Sequence, residues 1–132
     1  MTRIQRTVAP VIPYKAKGRR GRPRGDKRMN KTEERYSNHL AKRKLAGEIH
    51  SYYFESIKLR LADKTWYNPD FTVFTSDGYI EIHEVKGHWE DDARVKIKTI
   101  EELFPELRFV MVHETRKNSF TYLDPHGNTI KA

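Results

Sequence analysis

A chain of 132 residues is long enough for one domain with a hydrophobic core and too short for two. Hydrophobic residues make up 36% of it, against roughly 45–50% in most soluble proteins, and 33% of the residues are charged, which predicts that part of the chain is not packed. The absence of cysteine excludes disulfides and thiolate metal sites, and no apolar run reaches the roughly 20 residues of a transmembrane helix, so the composition favours a cytoplasmic protein with no membrane partner.

Most of the positive charge lies at the N-terminus. Residues 1–28 contain ten of the 26 Lys and Arg residues and one acid, Asp26, which gives them a net charge of +9, whereas residues 29–132 carry −1. This segment has several Pro and Gly residues and no apolar periodicity, so it is predicted to be a disordered arm before a single folded domain of residues 29–132. A basic arm on a nearly neutral domain indicates a polyanionic partner, most simply DNA.

The arm contains the run Arg20-Gly21-Arg22-Pro23, which matches the core of an AT-hook. An extended Arg-Gly-Arg strip fits the narrow, electronegative minor groove of A·T-rich DNA. Bulk positive charge is the competing and slightly preferred interpretation, because four residues in a basic tail are a weak motif. Under either interpretation the residues expected to contact DNA are Arg19, Arg20, Arg22, Arg24, Lys27 and Arg28.

A first helix is predicted from Asn30 to about Gly47. Asn30 and Glu33 have the spacing of a capping box, and Gly47 is a natural helix end. The apolar side of this helix consists of Tyr36, Leu40, Ala41 and Leu45. Residues 49–61 are rich in aromatic and β-branched residues, which favours a strand or one arm of a hairpin.

Two more strands are predicted around the turn signal at residues 76–78, one over residues 70–75 and one over residues 79–86. A second helix begins at residues 91–92 and ends at Pro105, with an apolar stripe of Ala93, Ile97, Ile100 and Phe104. A strand at residues 109–112 and a terminal hairpin of residues 120–123 and 129–130 follow. Because a helix connects the third strand to the fourth, that connection is a crossover and the sheet is expected to be mixed.

The segments Pro69-Asp70 and Glu84-Val85-Lys86 carry the chemistry. Side chains alternate along a strand, so Glu84 and Lys86 share a face, and hairpin pairing can bring Asp70 beside Glu84. Phosphodiester hydrolysis needs a hard cation such as Mg²⁺ or Mn²⁺, which prefers the carboxylate oxygens of Asp70 and Glu84, and the Val85 carbonyl can add another ligand. Lys86 can orient or help deprotonate the attacking water and offset charge on the phosphate.

These residues resemble the motif of the PD-(D/E)XK, or restriction-endonuclease-like, nuclease superfamily. Thirteen residues separate Asp70 from Glu84, and the runs at residues 67–71 and 84–87 look like small phage-encoded members. The similarity covers roughly residues 30–115. It implies an α/β fold with an αβββαβ core, a Mg²⁺- or Mn²⁺-dependent active site and a DNA substrate, in the host cytoplasm if the protein is phage-encoded.

The resemblance also implies two further site residues. Members often add an acid from the first helix, and Glu33 is preferred over Glu34 because it lies nearer the centre of the apolar side. Closing the capping box explains Glu33 nearly as well, and both roles can hold. Many members place a Lys or Gln on the helix after the motif, where Lys96 borders the apolar stripe and Lys98 faces away.

Structural interpretations compete with these assignments. Asp70 can be an ordinary turn residue, and Glu84 and Lys86 can form a salt bridge, but this does not explain why the strand turns both toward the side of its apolar residues. A zinc site at His83 and His88 is disfavoured, because their spacing fits neither a helical pair nor a known finger. The aromatic residues at positions 66, 67 and 89 can stack on bases, but anchoring a loop in the core is the more usual role.

The sequence therefore predicts a metal-dependent DNA endonuclease, with selectivity for branched DNA such as a Holliday junction as a narrower hypothesis. Resolving a two-fold junction needs two active sites, so that hypothesis carries a homodimer with it. Two alternatives stay open: a non-catalytic DNA-binding protein that keeps the fold, and a protein that binds or cleaves RNA with its arginine-rich arm.

Overall fold

The centre of the protein is a mixed six-stranded sheet, seen in a computed structural model that describes residues 29–86 and 91–131. In chain order the elements are α1 (Lys31–Leu45), β1 (Ile49–Phe54), β2 (Leu59–Ala62), β3 (Thr65–Tyr67), β4 (Phe71–Thr75), β5 (Ile80–Lys86), α2 (Asp91–Leu103), β6 (Arg108–Arg116), β7 (Ser119–Leu123) and β8 (Thr129–Ile130).

The strand order in this sheet is β1-β4-β5-β6-β7-β8, and β2 and β3 form a separate two-stranded hairpin. Strands β5 and β6 are parallel, and all other neighbouring pairs are antiparallel. The parallel pair arises because α2 carries the chain from the end of β5 back to the start of β6. The predicted α/β class, mixed sheet and αβββαβ order are therefore confirmed, with the β2–β3 hairpin as an insertion between β1 and β4.

Two hydrophobic clusters form the core. On one side, Tyr36 and Leu40 of α1 pack with Val85 and with residues of β4 and β6. On the other side, Ile97 and Ile100 of α2 are in a cluster with Ile82 of β5 and with Tyr67 of the hairpin. The alternation of side chains along β5 therefore sends its even-numbered residues, from 80 to 86, to the α2 side.

The ends of α1 agree with the prediction. Asn30 caps the helix: its Oδ1 accepts from Glu33 N at 2.8 Å, and Glu33 Oε2 accepts from Asn30 N at 3.0 Å. Gly47 follows the helix with φ +78°, a left-handed conformation that glycine adopts without strain.

Two details of the prediction are wrong. Leu45 is 90% exposed instead of contributing to the core, because at about 100° per residue it lies on the opposite side of α1 from Tyr36. Residues 49–61 are two strands in different sheets, because the chain turns at Glu55, whose φ is +44°. The predicted arm of residues 1–28 lies outside the described residues. Neither α1 nor α2 is long and apolar enough to cross a membrane.

Candidate active site

The antiparallel pair β4–β5 brings Asp70 and Glu84 together. Its register pairs Phe71 with His83, so the residue before β4 lies next to the residue after His83. The main-chain N–H of Asp70 donates to Glu84 Oε1 at 3.2 Å, and the main-chain N–H of Val85 donates to Asp70 Oδ2 at 2.9 Å. These hydrogen bonds use one oxygen of each carboxylate and fix both carboxyl groups at the same end of β5.

Glu84 is the most deeply buried acid of this site, with 8% of its surface exposed. The hydroxyl of Tyr67, at the end of β3, donates to Glu84 Oε1. Burial first, and then the charge of Asp70, raise the pKa of Glu84 from 4.5 to about 8, against the lowering effect of Tyr67 and Lys86. The anion is therefore costly unless a cation approaches it.

Lys86 and Glu33 are two further charged residues that interact electrostatically with the carboxylate pair. Lys86 is exposed at the end of β5, and its positive charge acts to lower the pKa of both Glu33 and Glu84. Partial burial raises the pKa of Glu33; the hydrogen bond from Asn30 opposes that rise, and the charge of Asp70 adds to it. Glu33 is half-buried whereas Glu34 is exposed, so the α1 acid nearest to Asp70 is the one that the sequence analysis preferred.

Glu55 belongs to the same acidic neighbourhood, and the sequence analysis missed it. Its charge also raises the pKa of Glu33, and its main-chain N–H donates to the Asp70 carbonyl at 2.8 Å. Glu55 has φ +44°, and a non-glycine residue in this left-handed region is strained. The pattern of residues 49–61 gave no signal for it, because Glu55 fits the alternation of a continuous strand.

Lys96 reaches this site from α2. Its Nζ lies 5.5 Å from the centre of the Tyr67 ring, a cation–π distance, and the same Tyr67 donates to Glu84. Tyr67 is 6% exposed, as expected for an aromatic anchor, and burial followed by the charge of Glu84 keeps the pKa of its hydroxyl well above 10. Tyr67 therefore stays protonated and links Lys96 to the carboxylate pair.

Val85 lies at the site through its main chain: its N–H donates to Asp70 Oδ2, whereas its side chain packs in the α1-side core. A metal-ligand role for its carbonyl stays a prediction. Other residues considered in the sequence analysis lie elsewhere. His83 is fully buried on the α1 side of β5, between the hydroxyl of Tyr36 and Glu81 Oε1, which removes the basis for a zinc site there. The six basic residues of the arm, His88 and Trp89 lie outside the described residues.

The donors present suit a hard cation. Within residues 29–86 and 91–131, no group of three or more His, Asp or Glu residues is placed to hold a metal ion. Two carboxylates, Asp70 and Glu84, do lie side by side with oxygen donors only. Mg²⁺ commonly takes one or two protein carboxylates and completes its shell with water and substrate phosphate, so this pair fits it.

A cleft of about 600 Å³ lies at the opposite end of β5, lined in part by Tyr79, Glu101, Glu102 and Glu106. Its acidic side chains would repel a polyanion.

Comparison with known proteins gives one finding. Residues 23–120 match the model of a family described as "Protein of unknown function (DUF1064)". No curated protein and no solved structure matches the chain. The matched range contains every acidic and basic residue of the site described above.

Proposed function

This chain belongs to the DUF1064 family, and we propose that it is a divalent-metal-dependent DNA endonuclease with its active site at Asp70, Glu84 and Lys86. The observation that carries the proposal is the placement of two hydrogen-bonded carboxylates at the end of β5, with a lysine two residues further along the same face. That combination suits phosphodiester hydrolysis, in which a hard cation and a lysine both act on one phosphate.

The fold supports the same assignment. The elements of the main sheet follow the order α1-β1-β4-β5-α2-β6, and the motif residues lie at the start of β4 and the end of β5. We therefore propose that the chain is a member of the PD-(D/E)XK nuclease superfamily, whose motif these residues resemble. The structural alternative, a salt bridge between Glu84 and Lys86, is disfavoured because Glu84 is buried against Tyr67 and Lys86 is exposed.

Asp70 and Glu84 would hold the metal ion, Mg²⁺ or Mn²⁺. When bound, the ion supplies positive charge that stabilises the reacting phosphate and lowers the pKa of water. It would also offset the repulsion between the two carboxylates. Tyr67 keeps Glu84 in a fixed orientation by donating to Oε1, and the Val85 N–H does the same for Asp70.

Hydrolysis then requires groups that position water and manage charge. A new P–O bond forms from water, and the P–O bond to one sugar oxygen breaks, which leaves a phosphomonoester and a sugar hydroxyl. One water proton passes to a base such as Glu33, whose raised pKa suits that role, and the leaving oxygen takes up a proton from solvent. Lys86 orients the water and balances phosphate charge, and Lys96 can hold a neighbouring phosphate.

DNA is the proposed substrate because of the charge distribution. The segment of residues 1–28 carries +9, and it precedes a domain whose own net charge is −1. A polyanion would therefore be attracted by the N-terminal segment and delivered to the site. Preference for branched DNA, and the homodimer that it would require, extend this proposal.

The test is cleavage of supercoiled plasmid, linear duplex, four-way-junction DNA and RNA, each with Mg²⁺ or Mn²⁺ and with EDTA. We expect DNA cleavage that EDTA abolishes and that Asp70→Asn also abolishes. Asp77→Asn is the matched control, because Asp77 is an exposed acid in the turn at the other end of the same hairpin.

Binding of DNA without any cleavage would leave the non-catalytic interpretation. Cleavage of RNA alone would make the protein a ribonuclease. An Asp70→Asn variant that stays folded and cuts as fast as Asp77→Asn would place the active site elsewhere.

A further inference from the structure

The β2–β3 hairpin has two different faces. Leu59 and Tyr67 are opposite each other in its register and face the α2-side core. Arg60 and Trp66 are also opposite each other, and both are exposed. Trp66 is 57% exposed, whereas its neighbour Tyr67 is 6% exposed, so Trp66 does not have the anchoring role expected from the sequence.

The outer face of the hairpin is basic. Lys58 and Arg60 lie on the exposed side, and Lys64 is exposed in the turn that joins the two strands. Asp63 is the one acid in residues 58–66, and it forms an exposed ion pair with Arg60 at 3.6 Å, which contributes little to stability. A single exposed aromatic residue is ordinary on a protein surface. Three cations on the exposed side and in the turn of the same hairpin, one of them directly opposite it, make this one suited to a nucleic acid.

The hairpin is joined directly to the proposed active site. Trp66 precedes Tyr67, whose hydroxyl donates to Glu84. Three residues lie between Trp66 and Asp70, so the four Cα–Cα steps limit the distance between their Cα atoms to at most about 14 Å. A strand whose phosphate lies at Asp70 therefore has a base within one or two nucleotides of Trp66.

We propose that Trp66 is a stacking platform for an unpaired DNA base next to the bond that is cleaved, with Lys58 and Arg60 contacting the flanking phosphates. An indole ring can stack on a base only where that base is not paired and stacked within a duplex. The inference rests on the proposed nuclease function and specifies its substrate as DNA with unpaired bases close to the cleavage point. Such bases occur at gaps, flaps and junctions.

The experiment uses the full chain with Trp89→Phe, which leaves Trp66 as the single tryptophan of the two in the sequence. Its fluorescence is followed during titration, in EDTA, with duplex DNA that contains a short single-stranded gap and with a fully paired duplex of the same length. We expect strong quenching by the gapped DNA and little quenching by the paired duplex.

DNA affinities complete the test. They are measured by the anisotropy of labelled DNA, for two variants and one control that each carry a single substitution in the otherwise unaltered chain. Trp66→Ala should weaken binding of gapped DNA about tenfold and leave duplex binding nearly unchanged, and Trp66→Phe should restore most of the loss. Tyr79→Ala is the matched control, because Tyr79 is 51% exposed at the opposite end of β5. Melting temperatures show that each variant is folded.

The two proposals fail in different ways. Quenching by gapped DNA in a protein that cleaves nothing in Mg²⁺ or Mn²⁺ would remove the nuclease function and keep the stacking platform. Metal-dependent cleavage by a protein in which Trp66→Ala binds gapped DNA as tightly as Tyr79→Ala would overturn the stacking platform alone. Equal quenching by gapped and fully paired DNA would also overturn it.

Discussion

In the metal-free protein, the position of Glu84 suits a bound cation, but its negative charge is unfavourable. Its position beside Asp70 suits a cation, but burial and the neighbouring carboxylate both act against its charge. Its two hydrogen-bond donors, Tyr67 and the Asp70 N–H, are neutral and offset only part of that cost. A residue that lowers stability where it serves chemistry is the usual pattern of active sites.

Replacing Glu84 by Gln should therefore stabilise the metal-free protein at pH 8.5. The folded-state pKa of Glu84 is about 8 and its ordinary value is 4.5, so the stability of the wild type falls as the pH rises between those values. Gln keeps the acceptor oxygen and lacks the charge. We expect a melting temperature at least about 5 °C higher at pH 8.5, and a gap that closes toward pH 5.

Glu81 provides the control with the opposite sign. It lies three residues earlier on β5, on the other face; burial acts to raise its pKa, but His83 and Arg108 lower it further than that. A lowered pKa means stability that is present above the ordinary value and lost on acidification, so Glu81→Gln should melt below the wild type at pH 8.5. Mn²⁺ should raise the melting temperature of the wild type and of Glu81→Gln, and not that of Glu84→Gln. A Glu84→Gln variant less stable than the wild type at pH 8.5 would contradict this account.

At the scale of elements, helix-capping and periodicity signals in the sequence were sufficient to predict the start of α1 and the faces of β5. Asn30 and Glu33 predicted the start of α1, and alternation placed Glu84 on the same side of β5 as Ile82. The break at Glu55 was not predictable, because a left-handed residue leaves no mark on an alternating pattern. The exposure of Trp66 was also not predictable, because β3 is too short for its own alternation to show which side faces the core.

Glu33 caps α1, and we also propose a chemical role for it; the two roles can be separated. Glu33→Gln retains an oxygen for the Asn30 N–H and removes the charge near Asp70, so it should lower the cleavage rate more than Glu34→Gln with little change in melting. Asn30→Ala removes the cap, which costs about 0.5–2 kcal/mol, and keeps the Glu33 charge.

Cleavage rates and melting curves of the three variants, measured well below the melting temperature, separate the roles. Activity in Asn30→Ala close to that of the wild type would support the chemical role of Glu33. Losses of activity that follow the losses of stability across all three variants would reduce Glu33 to a helix cap.

At the scale of the whole molecule, charge and chemistry occupy different parts of the chain. The basic segment precedes Met29, and every proposed site residue lies between Glu33 and Lys96. Substitutions in the basic segment should therefore weaken DNA binding without changing the chemistry of cleavage. The salt dependence of DNA affinity measures the contribution of the basic segment. Each phosphate that a cation neutralises releases counterions and adds roughly −0.9 to the slope of log affinity against log salt concentration on duplex DNA.

Replacing the arginines at positions 19, 20, 22 and 24 by Gln should weaken DNA binding and flatten that slope by the contribution of up to about four phosphate contacts. Cleavage at saturating protein and low salt should persist. Arg116→Gln with Lys117→Gln, at the exposed end of β6 and in the turn that follows it, is the control for loss of charge elsewhere. If the run at residues 20–23 is an AT-hook, Arg22→Ala should cost more on A·T-rich than on G·C-rich DNA. An unchanged slope in the four-residue variant would assign the segment to another partner.

The cleavage rate of Glu84→Gln is the most direct test of the central claim. It is measured with excess protein, end-labelled DNA and saturating Mg²⁺, beside the wild type and Asp77→Asn. The account predicts a loss of at least about 100-fold in a variant that melts no lower than the wild type, with Asp77→Asn unaffected. A folded Glu84→Gln variant that cleaves DNA at the wild-type rate would contradict it.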